Sequence, residues 1–124
     1  MIYEIDLIDG IKIQDSLFFS VFMKPLTDEE KQRALSIADE QFIKLKSYSG
    51  FQPVNDKHES AIQGLMFLNE HTSASIHAIG VNVDSYTYDD IRSLGVSAQD
   101  WNIILSAGMA LDECYNGETI EMLA

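Results

Sequence analysis

The chain has 124 residues, the size of one domain, and is long enough to bury a core without disulfides or a metal. Its 20 Asp and Glu stand against 8 Lys and Arg, a formal charge of −12. Such a surface repels nucleic-acid phosphates and anionic lipid headgroups, and attracts cations and basic proteins.

The charge is uneven. Residues 1–83 carry 12 acids against 7 bases, whereas residues 84–124 carry 8 acids against Arg92 alone. Cys114 is the only cysteine, which favours a reducing compartment. The N-terminal Glu4 and Asp6 sit where a signal peptide carries base, and the longest apolar run, 17–23, is too short to span a bilayer. A cytoplasmic protein is expected.

Tyr3, Ile5 and Leu7 alternate with Glu4 and Asp6, then Asp9-Gly10 offers a tight turn before Ile11 and Ile13. This predicts a hairpin over 2–14. The run 17–23 is apolar on both sides except at Ser20, as in a strand covered on both faces or meeting a second subunit. Phe18, Phe19 and Phe22 are therefore the expected interface of a homodimer, together with the apolar helix expected over 98–115. Thr27-Asp28-Glu29-Glu30 is a capping box. It opens a helix with an inward stripe of Ala34, Leu35, Ala38, Phe42 and Leu45, stopped by Gly50. Asp56 caps a shorter helix whose apolar content is Ala61, Ile62, Leu65, Met66 and Leu68.

Residues 76–83 read as one strand, with Ile79, Val81 and Val83 on one face. Thr87 to Asp90 caps a short helix ending at Gly95, and Ser97 to Asp100 caps a long one reaching about residue 116. Residues 119–123 can add an edge strand. The expected fold is α+β: a small mixed or antiparallel sheet packed against three to four helices in a single domain spanning 1–124.

The stretch 90–105 resembles a helix-turn-helix, with Ile91, Val96, Trp101 and Ile104 placed to pack its two helices together. The surface that would read bases shows Ala98, Gln99, Asp100 and Asn102, with only Arg92 to hold a phosphate backbone, so direct nucleic-acid binding is not expected. His58, His71 and His77 lack the spacing of a metal helix, and no cofactor is expected. Cys114 lies near a helix C-terminus, where the dipole does not activate a thiol, and reads as a buried structural group. Residues 84–90 lack the Gly and Glu of a calcium loop, and no glycine-rich phosphate loop is present. No catalytic residue stands out, and the balance leans away from an enzyme.

The leading expectation is a non-enzymatic acidic protein that binds a protein partner, basic in character. Its size and charge are those of accessory, inhibitor or immunity proteins of phages and mobile elements. Asp84, Asp89, Asp90, Asp100, Glu118 and Glu121 are the carboxylates expected to meet the partner. The alternative is a small pocket protein or enzyme that holds an apolar or cationic ligand among Tyr86, Tyr88 and Trp101.

Overall fold

The structure, a computed structural model, describes residues 1–115, with side chains as far as Asp112. The expected edge strand over 119–123, Glu118, Glu121 and the side chain of Cys114 lie outside the described residues. Eight elements follow in order: β1 (Tyr3–Ile13), β2 (Ser16–Met23), α1 (Asp28–Ser47), α2 (Asp56–Ala74), β3 (Ile76–Ile79), β4 (Asn82–Val83), α3 (Tyr88–Ser93) and α4 (Ala98–Tyr115). The strands form one antiparallel sheet in the order β1-β2-β3-β4, so the α+β expectation holds.

Two hairpins differ from the sequence expectation. Asp9-Gly10 is not a turn. β1 continues past it, and residues 7–10 stand opposite Phe19 alone, between the pairs Asp6↔Ser20 and Ile11↔Phe18. The backbone bulges there, with Gly10 at φ 84, and the reversal comes at Gln14-Asp15, where Gln14 adopts φ 57. Residues 76–83 are likewise a tight hairpin rather than one strand. Gly80, at φ 58, turns the chain so that Ile79 pairs with Asn82, and Val81 and Val83 come out exposed. A Cβ on Gly80 would run into the Phe18 ring, so the turn also accepts that ring.

The core lies between the sheet and α4. Leu7, Ile11, Val21 and Met23 of the first hairpin are buried with Ile76 and Ile79 of β3. Ile104 and Leu111 of α4 and Ile91 of α3 close it. Each such side chain contributes about 1.5–3 kcal/mol of burial. Of the apolar run in β2, Val21 and Met23 are fully covered, Phe18 and Phe22 are partly covered, and Leu17 and Phe19 remain half exposed.

α1 packs on α2 rather than on the sheet. The Thr27–Glu30 capping box is present, with both side chains bonded to the opposite backbone amide. Ala34, Ala38 and Phe42 face inward, but Leu35 is exposed, and the helix stops at extended Tyr48, ahead of Gly50. The cap of α2 is Asn55, not Asp56: its Oδ1 accepts the His58 amide at 2.8 Å. α2 runs to Ala74, and its buried residues are the polar Glu70, His71, Thr72 and Ser73 at its C-terminal end, while Ala61 and Leu65 are exposed. Among the described residues no helix is long and apolar enough to cross a membrane.

Candidate functional site

The C-terminal end of α2 comes close to three other segments: the first half of α1, the start of β3, and the chain from β4 into α3. A cleft of about 370 Å³ opens between them. Ala34, Ile37, Ala74, Ile76 and Val83 give it an apolar lining. Lys24, Glu30 and Arg33 stand on the α1 side, and His77, Asp84 and Tyr86 on the other. Lys24 is engaged: its Nζ lies 3.0 Å from Glu30 Oε2. Glu30 also accepts the Thr27 amide, and that bond, with Lys24 adding to it, holds its pKa below the ordinary carboxyl value.

Glu70 lines the same cleft and is only 2% exposed. Its Oε2 accepts the Tyr88 amide at 3.3 Å, while Oε1 has no hydrogen-bond partner among the described residues. Gln41 stands beside the carboxyl and favours its ionised form. Burial pushes the Glu70 pKa up, hydrogen bonds from the Tyr88 amide and Gln41 oppose it, and the nearby charges of Asp89 and Asp90 add to the rise. A carboxyl in this position costs free energy when ionised unless a cation or donor reaches it.

The chain matches no family model, and no curated protein or solved structure is significantly similar to it.

The expected acidic face divides. Asp84, Asp89 and Asp90 are exposed on the segment that enters α3, and Asp84 lines the cleft. Asp90 is partly occupied, its Oδ2 accepting the Thr87 amide in a second capping box. Asp100 does not belong to that surface. It is fully buried, and its oxygens accept the amides of Ile8 at 2.8 Å, Asp9 at 3.1 Å and Gly10 at 2.9 Å across the β1 bulge. Ser97, at the head of α4, caps the Asp100 amide and donates to Asp9 Oδ2 at 2.6 Å.

The aromatic trio also divides. Tyr86 lines the cleft and donates its hydroxyl to Asn82 O at 2.7 Å. Tyr88 and Trp101 pack on each other, ring centroids 5.3 Å apart, and Trp101 Nε1 donates to Asn69 of α2. They brace α3 and α4 against α2 rather than surround a cavity. Ile91, Val96, Trp101 and Ile104 of the helix-turn-helix-like stretch join the common core. The backbone of α3 packs on α2, and the first turn of α4 is tied to β1 by Ser97 and Asp100.

The histidines are separate. His58 Nδ1 accepts the Val54 amide at 2.9 Å, His77 borders the cleft, and His71 is buried with its Nε2 3.6 Å from Asp112 Oδ1. Lys31 reaches the same Asp112 oxygen at 2.9 Å, so α1 and α4 meet in an ion pair beside His71 of α2. Among the described residues no three His, Cys, Asp or Glu side chains are placed to hold a metal ion. Glu70 was missed by reading the sequence. It follows Ile62 and Met66 at four-residue intervals, so a charged side chain on the apolar, half-buried stripe of α2 is the available signal.

Proposed function

We infer that this protein is a non-enzymatic, cytoplasmic binding module that takes a basic protein partner on the face formed by residues 84–90 and the adjoining cleft. The observation that carries this reading is the exposure of Asp84, Asp89 and Asp90 on one short segment, beside a buried carboxyl with one oxygen unpartnered among the described residues. Three exposed acids on a chain of charge −12 steer a cationic surface toward that segment. The solitary cysteine supports the compartment.

The test is binding of a lysine-rich peptide, followed by fluorescence anisotropy, to the native chain and to the double variant Asp84→Asn/Asp89→Asn. Binding that weakens at least tenfold between low and moderate salt, and weakens again in the variant, supports the reading. Affinity indifferent to both sinks it. A second reading, a small ligand in the cleft, is favoured by its volume, at the lower end of the range of about 300–1,000 Å³ for small-molecule sites.

A further inference from the structure

We propose that the cleft beside Glu70 is a receptor for one cationic side chain, a lysine or arginine of the partner protein, whose charged end pairs with Glu70. The inference rests on the basic-partner reading above and names the contact that would give it specificity.

Three observations converge on it. The first is the state of Glu70. It is 2% exposed, and its Oε1 has no hydrogen-bond partner among the described residues, so the described fold does not fully satisfy this buried carboxyl. The second is the local field. Asp84 lines the cleft, and Asp89 and Asp90 lie near enough to act on Glu70, so these three acids favour a positive charge entering there. Of the two cations in the lining, Lys24 is held by Glu30, and Arg33 is exposed on α1. The third is shape. Ile37, Ile76 and Val83 offer apolar surface to the methylene stem of a long cationic side chain, which covers apolar surface while its charge finds a polar partner. A volume of about 370 Å³ suits one such side chain better than an extended peptide.

The interaction is an ion pair between the entering cation and the Glu70 carboxylate, and no covalent bond is made or broken.

The experiment uses the whole chain and two probes, n-butylamine and n-butylguanidine, with n-pentanol as the neutral control, each titrated while backbone amide resonances are followed by NMR. The expected result is saturable shifts at Ile37, Ala74, Ile76 and Tyr86 with both cations, none with pentanol, and at least tenfold weaker binding in Glu70→Gln. An unchanged spectrum of Glu70→Gln away from the cleft shows that the variant is folded. Equal affinity of native and variant chains for the cations overturns the proposal, as do shifts confined to surface acids. The lysine-rich peptide separates the two readings. If it binds native and Glu70→Gln chains alike, the acidic face stands and the cleft proposal falls. If the small cations need Glu70 but no lysine peptide binds, the partner reading falls, and the assignment to a protein side chain falls with it.

Discussion

Glu70 costs this protein stability. Its neighbours are a backbone amide, a glutamine and two acids, and burial raises its pKa above the ordinary value of 4.5. The folded state thus holds the Glu70 proton to higher pH than the unfolded chain does. As pH rises above about 4.5, folding must be coupled to that proton, and stability is lost. Glutamine keeps a carbonyl oxygen for the Tyr88 amide and has no charge to bury. The Glu70→Gln chain is expected to be more stable than the native chain at pH 7, with the difference vanishing near pH 4, in urea melts at matched pH. A variant less stable at pH 7 would mean that Glu70 has a compensating partner. His71 works in the opposite sense: burial lowers its pKa, so its contribution is lost as pH falls below 6.5. Comparing two chains that share His71 removes it from the difference.

At the scale of elements, local chemistry was legible and distant chemistry was not. The Thr27–Glu30 and Thr87–Asp90 boxes are closed within four residues, and both were readable as helix starts. Asp9-Gly10 looked like a turn because the dipeptide permits one. Its actual geometry is imposed by Asp100, more than ninety positions away. Gly80 was passed over because its neighbours alternate like a strand, and only the Phe18 ring resting against it shows why the chain reverses there. The polar end of α2 escaped for a similar reason, since a Glu or Thr on a helix reads as solvated until another element is seen to cover it. The β3–β4 turn gives a direct check. Gly80→Ala places a methyl in the Phe18 ring and forces a side chain into the left-handed region at φ 58. A loss of about 2–4 kcal/mol is expected in denaturant melts, combining backbone strain and overpacking. A loss below 0.5 kcal/mol, well under either contribution alone, would show that the turn relaxes freely.

Across the whole molecule, the acids play three different parts that the net charge alone does not distinguish. Asp84 and Asp89 are exposed on one segment, Glu70 is buried beside the cleft, and Asp100 is consumed inside the fold. The placement of Asp100 also decides what becomes of the sheet's outer border. Among the described residues β1 stands at one edge of the sheet, eleven residues long, and Leu17 and Phe19 of the adjoining strand are half exposed. An edge of that length can template the strands of other molecules. Asp100 takes three successive amides at the middle of β1 and fixes the bulge that breaks its straight run. Asp100→Ala is therefore expected to do more than lower stability by about 2–4 kcal/mol through unsatisfied amides. It should free the strand to pair with copies of itself, visible as thioflavin-positive aggregate that the native chain does not form under the same conditions. The carboxyl that ties α4 to β1 would then also be what keeps the protein from polymerising.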